Sequence, residues 1–158
     1  MPKTESRILR EIPFFDDFTD EELAELEPHI SIKFFKADTH LREEAGQDLQ
    51  FYVIRSGEVA VVKGHGTPGE VRLATLGEND LFGEMAFISD AKRGATVLAT
   101  KDTSTASLPL GLLLEYEKRQ PAIAAKFYRQ FLLKVIERVR TMNERVRTMS
   151  ERLEAKAK

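Results

Sequence analysis

The apolar positions of the chain change their spacing twice. Residues 1 to 30 read as short helices. SRILREI carries apolar residues at Ile8, Leu9 and Ile12. Thr19-Asp20-Glu21-Glu22 has the form of a capping box, with Thr19 as N-cap and Glu22 three residues on. The helix it starts runs to about Pro28 and offers Leu23 and Leu26 to a core.

Residues 31 to 109 read differently. ISIKFF, LQFYVI, GEVAVV, EVRLATL, ATVLAT and TASLPL are short and rich in β-branched or aromatic residues, with Gly, Asp, Asn and Pro between them. Spacing near ten residues suggests an antiparallel sandwich or barrel. Gly46, Gly57, Gly64, Gly66, Gly69 and Gly77 lie between or beside these strands, where a positive φ is easiest. GHGTPGE, 64 to 70, reads as a plain exposed hairpin connection.

From residue 110 the helical pattern returns. LGLLLEYEKRQ predicts one short helix, and Pro121 opens another, as proline at a first helical position does. Phe127, Phe131 and Leu132 are expected to pack on the β-region. Further on, ERVRTMN (137 to 143) is followed by ERVRTMS (144 to 150), a seven-residue repeat. Val135, Val139, Met142, Val146, Met149 and Leu153 then form an a/d seam, with Val139, Val146 and Leu153 at a. β-Branched residues at a favour two strands in a parallel coiled coil. The g positions are Arg138, Arg145 and Arg152, facing Ile136, Asn143 and Ser150 at e, so no g–e′ ion pairs form and the arginines are expected to stay free. The seam is short and marginal alone.

The organisation expected is therefore residues 1–120 as a β-roll with N-terminal helices, and 121–158 as a C-terminal coiled-coil helix that makes a homodimer. The fold class is α+β, mainly β: an antiparallel jelly roll, or double-stranded β-helix, with a long C-terminal helix.

Composition narrows the function. The chain has 158 residues, 42 % of them apolar, enough for one domain with a real core. Net charge is −2, so no overall positive field recruits nucleic acid or an anionic membrane. There is no cysteine, hence no disulfide framework and no thiolate chemistry, which is compatible with the cytoplasm. No signal-peptide core and no apolar run long enough for a transmembrane helix stand out. His29, His40 and His65 are scattered in sequence, away from metal-ligand spacing, so no metal is expected. No nucleophile elbow and no phosphate-binding P-loop occur, and no enzyme is expected.

One stretch carries chemistry: LFGEMAFISDAKRGATVLAT, residues 81 to 100. Glu84 and Arg93 stand nine residues apart, beside small residues Gly83, Gly94 and Ala95. A cyclic phosphodiester has one negative charge and several acceptor oxygens. Free backbone N–H groups at a helix start and one bidentate arginine suit it. A carboxylate suits the neighbouring ribose hydroxyl.

This stretch resembles the phosphate-binding cassette of cyclic nucleotide-binding domains, the family of the catabolite activator protein and the regulatory subunits of cAMP-dependent kinase. The match is F-G-E-[LM]-A at its start and R-x-A-T-V at its end. IPFFDDFTDEELAELEPHI resembles the family's N-terminal helical motif, and FYVIRSGEVAVV its central hairpin, with Gly57 at the turn. The resemblance implies that Glu84 takes the ribose 2′-hydroxyl and Arg93 the cyclic phosphate. Backbone N–H groups of Met85 and Ala86, and of Gly94 or Ala95, complete the cradle. Gly94 replaces the Ser or Thr that often follows the arginine, and that hydroxyl goes with cGMP preference, so the resemblance favours cAMP over cGMP. Ala45 stands where many members have glycine, with Gly46 next to it. In the family the last helix closes over the base; Lys134, Val135 and Arg138 are the positions expected there.

The expected function is a dimeric cyclic nucleotide sensor that moves its C-terminal helix and acts on a downstream protein. A transcription factor of the family carries a helix-turn-helix; this sequence shows no recognition helix, so a DNA-binding role is not carried over. The alternative is a ligand-independent dimeric scaffold, in which Glu84 and Arg93 merely pair with each other. A jelly-roll metalloenzyme lacks a His-x-His ligand set.

Overall fold

A computed structural model describes residues 8–42, 50–83 and 95–157. The strands form two four-stranded antiparallel sheets. We number them β1 (Ser31–Phe35), β2 (His40–Arg42), β3 (Gln50–Ser56), β4 (Val59–Lys63), β5 (Val71–Leu76), β6 (Leu81–Phe82), β7 (Thr96–Ala99) and β8 (Thr103–Pro109). One sheet has the order β1-β8-β3-β6, the other β2-β7-β4-β5. Among the described residues the α-helices α1 (Asp20–Leu26), α2 (Leu110–Arg119) and α3 (Pro121–Ala157) flank them, and residues 8–10 are helical too.

The expected β-roll with helices at both ends is what forms. The capping box does as the sequence implies: Glu22 N–H donates to Thr19 Oγ1, and Thr19 N–H to the Glu22 carboxylate. The helix stops two residues short of Pro28, and Glu27–His29 continue as a 3₁₀ turn. Strands β2 and β6 were not expected. They are three and two residues long, too short to show a period.

Strand β3 explains the architecture. Phe51, Tyr52, Val53 and Ile54 are all buried, because both faces of the strand are covered. Tyr52 and Ile54 point between the sheets, against Val59, Leu76, Phe82 and Val97. Phe51 and Val53 point to the helices, into a larger core. Phe14, Phe15, Phe18, Phe51, Phe127 and Phe131 meet there at ring-centroid distances of 4.9 to 6.5 Å. Aromatic pairs at such spacing prefer edge-on or tilted contacts, as most of these are.

Turns depart from expectation in part. Gly57, Gly64 and Gly66 have positive φ, but Gly69 and Gly77 do not. In the turn from β5 to β6 the left-handed residue is Asn79, at φ 68°, a conformation that Asn tolerates. Gly46 lies outside the described residues. The 64–70 hairpin loop connects β4 to β5 and is largely exposed, as expected.

Helix α3 has 37 residues, about 55 Å at 1.5 Å per residue. Ile123, Ala124, Phe127 and Phe131 are buried. Leu132 is not: it is 59 % exposed, since the residue after Phe131 is turned about 100° away from the core. Every described residue from Val139 onward is exposed, including Val139, Met142, Val146, Met149 and Leu153. No described helix is long and apolar enough to cross a membrane.

Candidate functional site

Strands β6 and β7 frame the segment that carries the motif. Phe82 closes β6 and stacks on Tyr52 with ring centroids 4.7 Å apart and planes within 8°. Val97, near the start of β7, joins the same core. The backbone on both sides of the segment is thus fixed in the roll interior. Gly83, which follows β6, sits at φ 98°. That angle favours glycine, so its missing Cβ serves the chain's exit from the sheet. Ala95 is half-buried at the other end. Glu84, Met85, Ala86, Arg93 and Gly94 lie outside the described residues.

The second part of the site lies between β5 and α3, in a groove of about 220 Å³. Leu73, Ala74 and Thr75 form one wall; Lys134, Arg138 and Met142 form the other. Two of the three helix positions expected near a base therefore line this groove, and Val135 does not. Sequence reasoning missed Leu73, Thr75 and Asp80, which join α3 only through the tertiary fold. An apolar Leu73, 51 % exposed on an outer strand, was the available signal.

Charge in the groove is organised. Lys134 Nζ lies 3.9 Å from Asp80 Oδ1 and 3.5 Å from Glu137 Oε2, with its side chain only 15 % exposed. Arg138 Nη2 donates to the carbonyl of Leu81. Arg138 is thus folded in against the roll and not free, contrary to its expected place as an unengaged g position. Phe127, Phe131, Lys134 and Arg138 follow one another at spacings of four, three and four, so they share one helix face.

Elsewhere, burial and the nearby Glu117 carboxylate raise the Tyr128 phenol above its usual range. The Glu58 carboxyl is lowered, first by a hydrogen bond from Thr100 and then by the Lys101 ammonium. Both lie outside the groove. The histidines are less scattered in space than in sequence: the rings of His40 and His65 meet at 5.1 Å, and His65 Nδ1 is 2.9 Å from Glu70 Oε1. Among the described residues, no group of three His, Asp or Glu side chains is placed to hold a metal.

A family model for the cyclic nucleotide-binding domain matches residues 32–119. The chain belongs to the cyclic nucleotide-binding domain family. It is 31 % identical over 100 residues to a cAMP-dependent protein kinase regulatory subunit from Hypocrea atroviridis, matching 63 % of this chain and 21 % of that protein. It is also 31 % identical over 93 residues to a cGMP-dependent protein kinase, isozyme 1, from Drosophila melanogaster, 58 % of this chain and 12 % of that one. The chain therefore spans about a fifth or less of these two relatives. Among solved structures, a cyclic nucleotide-binding domain from Methylobacillus flagellatus KT superposes with a TM-score of 0.74 at 26 % identity, over 90 % of this chain and 80 % of that one. What the chain is shown to share is the cyclic nucleotide-binding domain.

Proposed function

We propose that the protein is a cyclic nucleotide-binding regulatory module that takes cAMP in preference to cGMP. The observation that carries this reading is the pair Glu84 and Arg93, set within residues 32–119 of a cyclic nucleotide-binding domain. Glu84 accepts the ribose 2′-hydroxyl, and Arg93 forms paired hydrogen bonds to the cyclic phosphate. Backbone N–H groups of Met85, Ala86 and Gly94 or Ala95 complete the cradle. The base extends toward α3. Pockets for small ligands usually run to about 300–1,000 Å³, so the 220 Å³ groove by Lys134 and Arg138 suits one end of a nucleotide and not the whole.

Two further parts belong to the proposal. The seam from Val139 to Leu153 pairs with the same seam of a second copy, because its apolar residues are 49 to 67 % exposed and repeat with the heptad. Ligand binding changes the position of α3, and a downstream protein reads that change. A ligand shifts such an equilibrium only by its differential affinity for the two states.

Titration calorimetry with cAMP, cGMP and non-cyclic AMP tests the binding. The expected result is one site per chain, tightest for cAMP and absent for AMP. Heat from neither cyclic nucleotide would leave the scaffold reading in its place. Sedimentation equilibrium tests the dimer: Val139→Asp combined with Val146→Asp should give a monomer, and an unchanged mass would refute the seam.

A further inference from the structure

Strand β6 is the outer strand of its sheet. Ile54 N–H donates to the Asp80 carbonyl at 3.0 Å, and Asn79 N–H to the Ile54 carbonyl at 2.7 Å. Groups alternate along an antiparallel strand, so the next carbonyl, that of Leu81, points away from β3. An outward carbonyl on a sheet edge needs a donor from elsewhere. Arg138 provides it. One helical turn earlier, Lys134 faces Asp80 Oδ1, while Asp80 Oδ2 accepts the N–H of Gly77 at 2.9 Å.

Two cations one turn apart on α3 therefore hold two consecutive residues of the roll. Those residues stand immediately ahead of Phe82 and Gly83, where the chain leaves the sheet for the motif segment. Beyond Arg138 every described residue of α3 is exposed, so these are the last side chains of the helix that the roll partly buries. The lysine pair is long, 3.9 Å, beyond hydrogen-bond reach, and is the weaker of the two. The arginine–carbonyl bond is charge-assisted and stronger, and the two act in register.

We propose that Lys134 and Arg138 form a latch that fixes α3 to the β5–β6 turn and edge strand in the nucleotide-free protein. The same two side chains line the groove assigned to the base. An occupant of that groove competes for them, draws Arg138 off Leu81 and releases α3 from the residues next to Gly83. Only this last clause rests on the proposed nucleotide function; the latch is a property of the free protein.

The test measures where the helix stands. The chain has no cysteine, so cysteines at Lys101 and Arg147, 68 % and 76 % exposed, take spin labels selectively. Dilution with unlabelled protein isolates the distance within one chain. Without nucleotide, the otherwise unaltered protein should give one narrow distance distribution. Lys134→Met combined with Arg138→Met should add a second population at another distance, and Asp80→Asn a smaller share of it. Arg140→Met, which removes an exposed cation on the same helix, should leave the distribution unchanged. A double variant as narrow as the parent would overturn the latch. If the double variant does not fold, Arg138→Met alone decides, and no second population there would overturn the latch.

The release clause has its own arm. With cAMP at a concentration shown by calorimetry to saturate, the parent should gain the second population. Proven binding without it would overturn release but not the latch. Absence of binding would overturn the nucleotide function and leave the latch as measured.

Discussion

Lys126 of α3 reaches both carboxylate oxygens of Glu22, at 2.7 and 2.9 Å, and Glu22 also accepts the Thr19 N–H at 3.2 Å. One carboxylate thus caps α1 and ties it to the long helix more than a hundred residues later. Both side chains are mostly buried, 27 % and 19 % exposed. A hydrogen bond to a charged group contributes about 1.5–3 kcal/mol. Lys126→Met keeps the apolar stem and loses the charge, and we expect a cost of about 1.5–2 kcal/mol. At about 2–4 °C per kcal/mol for a domain of this size, Tm should fall by about 3–8 °C. An unchanged Tm in calorimetric scans would show that the tie contributes nothing.

Phe127 is fully buried and touches Phe18, Phe51 and Phe14 at centroid distances of 5.0, 5.7 and 5.9 Å. It joins α3 to both the N-terminal helices and the outer face of β3. Phe127→Ala should cost about 3–5 kcal/mol, read from urea midpoints. A loss under about 1 kcal/mol would mean that α3 is held by its charges and not by this core.

Much of this was legible in the chain, for local reasons. The capping box, strands β3, β4 and β8 and both C-terminal helices depend on neighbouring residues, which the sequence displays. The groove does not. Leu73 and Met142 are far apart in sequence, and only the packing of α3 across β5 brings them together. The heptad misassigned Arg138, because two stripes overlap on α3 for one turn. Phe127, Phe131, Lys134 and Arg138 lie on the face turned to the roll, Val135 is half-buried beside it, and Val139 begins the exposed seam. Following the core spacing onward from Phe127 would have found the right face.

Gly57 and Gly111 should respond in opposite directions. Gly57 closes the β3–β4 turn at φ 98°, and a Cβ there would lie 2.4 Å from the Asp102 carbonyl oxygen. Gly57→Ala combines that clash with a strained backbone and should cost about 1–3 kcal/mol. Gly111 lies in α2 with open space around it, so Gly111→Ala should stabilise by about 0.5–1 kcal/mol. Denaturant titration of both variants checks the pair, and equal signs would contradict the backbone argument.

The pH dependence follows from the tyrosines. Burial and Glu117 raise the Tyr128 phenol above 10.0, and burial with Glu25 and Glu115 raises that of Tyr116. The folded state then keeps protons that the unfolded chain releases at about pH 10. This contribution is complete below the unfolded pKa and is lost as pH rises through the folded one. Stability should fall from about pH 10 upward, and Tyr128→Phe should flatten that fall. Urea midpoints between about pH 8 and 11 measure it; equal slopes in both proteins would refute the assignment.

Thermal unfolding with and without cAMP and cGMP, on this protein and on Arg93→Ala, tests the central claim most directly. Nucleotide at a hundredfold over its Kd adds about 2.7 kcal/mol of apparent stability. For a domain of this size that raises Tm by about 5–10 °C. We expect the larger shift with cAMP and none in Arg93→Ala. No shift with either nucleotide, or the same shift in the variant, would contradict a site built on Arg93.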